Sequence, residues 1–113
     1  WLDFAKSVAL EAGDIMRKYF GKKPDSHLKA NNTIVTVADE GINQLVINKV
    51  MEKSPDHDID GEEASQCHGS KYVWVCDPID GTASFAMELS ISVFSMIRIS
   101  AEQLLVMVWC MRI

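Results

Sequence analysis

The densest chemistry in this 113-residue sequence is the run Asp77-Pro78-Ile79-Asp80-Gly81-Thr82. Two carboxylates and a main-chain carbonyl so close together suit a hard cation such as magnesium, which takes oxygen ligands and keeps several waters. Pro78 fixes its own backbone and donates no hydrogen bond, so Asp77 and Asp80 can turn toward one point while the Ile79 carbonyl stays free. Gly81 permits close backbone approach. Thr82 is placed to open a short helix through Phe85, and a helix start with free N–H groups is a ready phosphate site. Two further acidic pieces, Thr36-Val37-Ala38-Asp39 and Gly61-Glu62-Glu63, stand elsewhere in the chain. Each piece alone has a plain reading: a turn rich in Asp, Pro and Gly, a solvated glutamate pair, a helix-capping aspartate. Together they could converge on one cation.

The elements that must position these groups follow from apolar spacing. Residues 2–20 carry Phe4, Val8, Ala12, Ile15 or Met16, and Tyr19 on one helical face, with Arg17 and Lys18 in the last turn and Gly21 as the stop. Residues 21–33 read as a loop, with a short extended piece around His27-Leu28-Lys29. Thr36 is an N-cap with Asp39 as a shortened capping-box partner, and Ile42, Leu45, Val46 and Val50 form the buried stripe of a second helix ending near Ser54-Pro55.

From Ile59 the period changes. Tyr72-Val73-Trp74-Val75-Cys76 is a continuous β-favouring run, expected to be buried on both faces. Residues 91–99 alternate with period two, Ser100-Ala101-Glu102-Gln103 is a hairpin, and Leu104–Cys110 is a third strand. Two helices followed by a mostly antiparallel sheet make a layered α/β fold.

Composition excludes several classes. A net charge of −5 with no basic stripe argues against a nucleic-acid or anionic-membrane surface. No apolar run reaches the length that spans a bilayer. Cys67, Cys76 and Cys110, an odd count with no CxxC pair, read as reduced thiols in a cytoplasmic compartment. Entry into a helical pattern at Trp1 and a strand-like run up to Ile113 suggest a piece of a longer polypeptide.

In order and spacing, Thr36-Val37-Ala38-Asp39, Gly61-Glu62-Glu63 and Trp74-Val75-Cys76-Asp77-Pro78-Ile79-Asp80-Gly81-Thr82-Ala83-Ser84-Phe85 resemble the inositol monophosphatase family. The resemblance implies the N-terminal portion, residues 1–113, of a layered sandwich of the sugar-phosphatase type, with the C-terminal portion absent. It implies hydrolysis of a small-molecule phosphomonoester, an inositol phosphate first, by metal-activated water.

By the same resemblance Glu62 binds a first metal, Asp77 bridges two metals with the Ile79 carbonyl beside it, and Asp80 binds the second. Asp80, Gly81 and Thr82 hold the phosphate. Thr82 and Asp39 orient the attacking water, and Glu63 supports the metal shell. Lys29 is a loose match for a residue near the site. Two or three Mg2+ ions, lithium sensitivity and a full-length homodimer are implied as well.

Ser84, Glu88, Ser90 and Ala64 depart from the family pattern without removing a ligand. A later Trp-Asp-x-Ala-Ala motif has no counterpart, since Trp109 precedes Cys110. The chain alone is therefore expected to bind the second metal poorly and turn over little substrate.

Two rivals compete. Asp56-His57-Asp58-Ile59-Asp60-Gly61 mimics the first half of a calcium-binding EF-hand, but Glu63 and Cys67 fail its second half. A non-catalytic interaction or regulatory module keeping the fold is the other. His27, His57 and His68 show no ligand spacing and read as surface or loop residues. The methionines, including Met51, Met87, Met96, Met107 and Met111, together with Trp74 and Trp109, read as core.

Overall fold

The computed structural model describes residues 1–20, 26–28, 34–82, 85 and 91–112. Helix α1 spans Leu2–Tyr19 and buries Ala5, Val8, Ala9, Ala12 and Met16. The fully buried stripe thus lies one position away from Phe4, Ile15 and Tyr19, which flank it half-buried. Phe20 turns the chain out of the helix in an extended conformation, its N–H donating to the Met16 carbonyl. Gly21, Lys29, Ser84, Met87, Glu88 and Ser90 lie outside the described residues, as do the side chains of His27, Trp109 and Met111.

Strands β1 (Ser26–Leu28) and β2 (Ile34–Thr36) pair antiparallel and deliver Thr36 to helix α2 (Val37–Lys53). The capping box expected there is present. The Thr36 hydroxyl accepts from the Asp39 N–H at 3.2 Å, and Asp39 Oδ2 accepts from the Thr36 N–H at 2.8 Å. Helix α2 ends at Ser54, just before Pro55, whose ring cannot continue it.

The main sheet contains β3 (Asp58–Gly61), β4 (Ser65–Gln66), β5 (Val73–Asp80), β6 (Ile91–Ile99) and β7 (Leu104–Arg112), in the order β4-β3-β5-β6-β7. All neighbours are antiparallel except β3 and β5. The helices cover one face, burying Trp74, Cys76, Phe94 and Met96. On the other face Val73, Val75 and Ile97 are half-buried, and Ile99, Leu104, Val106 and Val108 are exposed. The run at 72–76 is therefore not buried on both faces, as its unbroken apolar character suggested. Its β-branched residues alternate with Trp74 and Cys76, and only the latter meet the helices.

His57 corrects a second expectation. It is 4% exposed, not superficial, because its Nδ1 accepts the Trp74 indole N–H at 3.1 Å and its ring packs on Trp1 and Tyr72. Burial lowers its pKa, so the neutral imidazole that can accept this bond is favoured. Met96 and Met107 are buried core, as expected.

Candidate active site

The parallel pairing of β3 with β5 sets the site. Its register matches Gly61 with Cys76, so the next residues, Glu62 and Asp77, emerge side by side at the same end of the sheet. The Glu62 N–H continues the pairing by donating to the Cys76 carbonyl at 3.1 Å. Beyond Asp77 the pairing with β6 slips: Asp77 faces Ser95, yet Asp80 faces Val93. Pro78, which has no N–H for the ladder, sits in this irregularity. Pro78 and Ile79 are buried while Asp77 is half-buried and Asp80 exposed, so the two carboxylates reach the surface around an apolar anchor.

Glu62 stands close enough to Asp77 for a hydrogen bond between the carboxyls to favour the protonated form of Asp77. Burial first, then that bond, then the negative charges of Glu62, Asp80 and Asp39 push the Asp77 carboxyl up to about 7. Its Oδ1 is buried without a hydrogen-bond partner among the described residues. An open cleft of about 340 Å3 runs past these two groups, with Asp60, Ser95 and Ile97 on its walls.

A second set lies on the helix side. The Thr82 hydroxyl is 2.9 Å from Asp39 Oδ1 and 3.1 Å from the Ile79 carbonyl, so that carbonyl has a polar neighbour and is not wholly free. Asp39 is fully buried, with Oδ2 taken by the Thr36 N–H and hydroxyl at 2.8 and 2.7 Å. Helix capping and the site thus use the same carboxylate, one oxygen each. Gly81 has φ of 75°, a left-handed conformation natural to glycine, and the Phe85 N–H closes one helical turn onto its carbonyl at 3.2 Å.

The donor types suit a hard cation. They comprise carboxylates at Glu62, Asp77 and Asp80, a carbonyl at Ile79, and an orphaned buried oxygen on Asp77. Among the described residues no three His, Cys, Asp or Glu side chains converge closely enough to hold an ion by themselves. Mutual repulsion of the carboxylates favours that spacing without a cation. The Cys76 thiol is pushed up to about 12 by burial and by the Asp77 and Glu62 charges, so it carries no thiolate at neutral pH.

The EF-hand mimic does not form a loop, since Asp58–Gly61 is strand β3. Asp58 instead accepts the backbone N–H groups of His68, Gly69 and Ser70 at 2.9 to 3.1 Å. These bonds, the His68 N–H first, hold its carboxyl below the usual range.

Asn43 escaped the sequence reading. It is 1% exposed on α2; its Nδ2 donates to the Ala64 carbonyl at 2.9 Å, and its Oδ1 accepts the Glu63 N–H at 3.2 Å. A signal existed: Asn43 is a polar residue inside the buried stripe of Ile42, Val46, Ile47 and Val50.

A profile of the inositol monophosphatase family matches residues 1–95. The chain belongs to the inositol monophosphatase family. It is 40% identical over 82 residues to the Arabidopsis thaliana "Bifunctional phosphatase IMPL2, chloroplastic", covering 70% of this chain and 24% of that protein. It is 35% identical over 91 residues to "Inositol monophosphatase 1" of Sus scrofa, covering 74% of this chain and 32% of that protein. The solved Thermotoga maritima IMPase superposes with a TM-score of 0.86 at 26% identity, covering 95% of this chain and 42% of that one. The chain thus spans between a quarter and a third of the length of these curated relatives, and its helices and mixed sheet reproduce the fold of the family. Among the described residues no helix is long and apolar enough to cross a membrane.

Proposed function

We propose that the Glu62–Asp77 pair and the Asp39–Thr82 pair are the two halves of a magnesium-dependent phosphomonoesterase site. The observation that carries the reading is the β3–β5 register that sets Glu62 beside Asp77, with a buried Asp77 oxygen that has no partner among the described residues. A buried carboxylate oxygen without a partner is costly unless a cation satisfies it. Glu62, Asp77, Asp80 and the Ile79 carbonyl would hold magnesium, which when bound neutralises phosphoryl charge and makes water acidic enough to attack.

The remaining work belongs to the chain. The Thr82 proton is directed inward to Asp39 or to the Ile79 carbonyl, which leaves the hydroxyl oxygen to accept a hydrogen bond from an incoming water and aim its lone pair. Asp39 does not swing away, because Thr36 holds its other oxygen. Main-chain N–H groups at Gly81 and Thr82 are offered to phosphate oxygens, and Asp80 lies beside them. Glu63 supports the turn that carries Glu62. No covalent nucleophile is needed.

An inositol phosphate is the favoured substrate, supported by family membership and by the name of the Sus scrofa relative. Lithium inhibition, a cytoplasmic setting and a homodimer of the full-length protein are proposed on the same family basis. The free thiols of Cys67, Cys76 and Cys110 suit a reducing compartment.

Mg2+ titration of the chain by calorimetry tests the metal reading. One-site binding is expected, lost in Asp77→Asn and weakened in Glu62→Gln. Undiminished binding in both variants would overturn it. Because no Trp-Asp-x-Ala-Ala segment occurs in this sequence to complete a second metal site, phosphate release by the chain alone should be feeble.

A further inference from the structure

Helix α2 touches both halves of the site, one turn apart. Asp39, in its first turn, holds Thr82; Asn43, four residues on, holds the turn that bears Glu62. The rise between them along a helix is about 6 Å, a spacing that does not vary while the helix is intact.

The Asn43 amide makes its two bonds on either side of the Glu63 residue, to the Glu63 N–H at 3.2 Å and the Ala64 carbonyl at 2.9 Å. The two bonds reach two peptide groups, one on each side of the Glu63–Ala64 pair, so they fix the course of the turn as well as its position. On the other flank, the Glu62 N–H is bound to the Cys76 carbonyl at 3.1 Å. The Glu62 backbone is therefore gripped from the sheet and from the helix. Gly61 makes room for the helix-side grip: a Cβ there would collide with the Asn43 amide oxygen and with the Ala64 carbonyl oxygen.

A buried asparagine bonded to a turn is ordinary structural chemistry. What sets this one apart is the turn it holds. Ala64 and Ser65 beyond it are exposed, so little apolar burial fixes that side of the turn.

We propose that Asn43 is a positioning residue for Glu62, and that α2 acts as the ruler setting the Glu62 carboxylate against the Asp39–Thr82 pair. The inference rests on the magnesium-site reading above. It concerns a residue that touches neither cation nor substrate and acts only through the backbone of the Gly61–Ala64 turn. Groups that hydrogen-bond a metal ligand directly account for about ten- to hundredfold in metal affinity, and a clamp on the neighbouring backbone belongs at the lower end of that range.

The test uses Mn2+ uptake by the chain, read from loss of the free-ion paramagnetic resonance signal. Asn43→Ala is expected to weaken uptake about tenfold. Val50→Ala, a truncation on the same buried face of α2 that does not touch the turn, is a control for general loss of stability and should leave uptake unchanged. Gly61→Ala approaches the clamp from the other side and should match Asn43→Ala. Amide exchange in the unaltered chain needs no variant: the Glu63 N–H should be protected before any cation is added. Equal Mn2+ affinity in Asn43→Ala and Val50→Ala, or a freely exchanging Glu63 N–H, would overturn the positioning role alone. Failure of the unaltered chain to take up Mn2+ would overturn the metal site and this role together.

Discussion

The Thr82 hydroxyl sits 2.9 Å from Oδ1 of Asp39, across 43 positions of sequence. This bond joins the end of β5 to the start of α2, and it uses the one oxygen of Asp39 that the capping box leaves over.

Thr82→Val should cost about 1–3 kcal/mol, because it strands a buried carboxylate oxygen. Asp39→Ala should cost more, since it removes the helix cap as well. Urea denaturation of both single variants and the double variant measures the coupling. It should be about 0.5–3 kcal/mol, and strictly additive losses would refute a direct bond.

The raised pKa of Asp77 predicts the pH dependence of the cation-free chain. A carboxyl raised to about 7 in the folded state binds its proton more tightly there than in the unfolded chain. Its contribution to stability is complete below the ordinary carboxylate range near pH 4 and is lost as pH rises through about 7. Denaturation midpoints should therefore decline over that interval relative to Asp77→Asn. Millimolar Mg2+ should remove the decline, because the cation takes the proton's place.

Asp58 should act in the opposite sense. Its carboxyl is held low by the N–H groups of His68, Ser70 and Gly69 and by the His68 ring, 3.0 Å away. The stability it adds is present above the unfolded carboxylate range and disappears as pH falls below it. Asp58→Asn should weaken the chain at neutral pH and flatten the acid limb of its stability curve. An unchanged acid limb would show that the three N–H bonds contribute nothing.

Arg98 is only 6% exposed, and its guanidinium lies 4.9 Å from the Trp1 ring, 5.3 Å from Tyr72 and 5.8 Å from Trp74. Lysine keeps the charge but cannot stack as a plane. Arg98→Lys should therefore cost about 1–2 kcal/mol and alter tryptophan fluorescence in the folded state. Full stability in the lysine variant would mean that charge alone suffices.

Much of this molecule is legible in its local sequence. Helices 2–20 and 37–53, the strand at 91–99 and the 100–103 hairpin follow from local periodicity and capping, and each appears within a residue or two of its expected bounds. The family to which the chain belongs was equally local, because residue type and short spacing in Asp77-Pro78-Ile79-Asp80 carry the resemblance. What only tertiary structure decided was long-range. The parallel register of β3 on β5 that sets Glu62 beside Asp77 depends on strand pairing, which leaves no mark on either strand alone. The one-sided burial of β5 depends on which face the helices cover, and the inward turn of His57 depends on Trp74. Asn43 is the clearest case. A side-chain amide shows its meaning only when its two partners, 20 and 21 residues away, are brought within bonding distance.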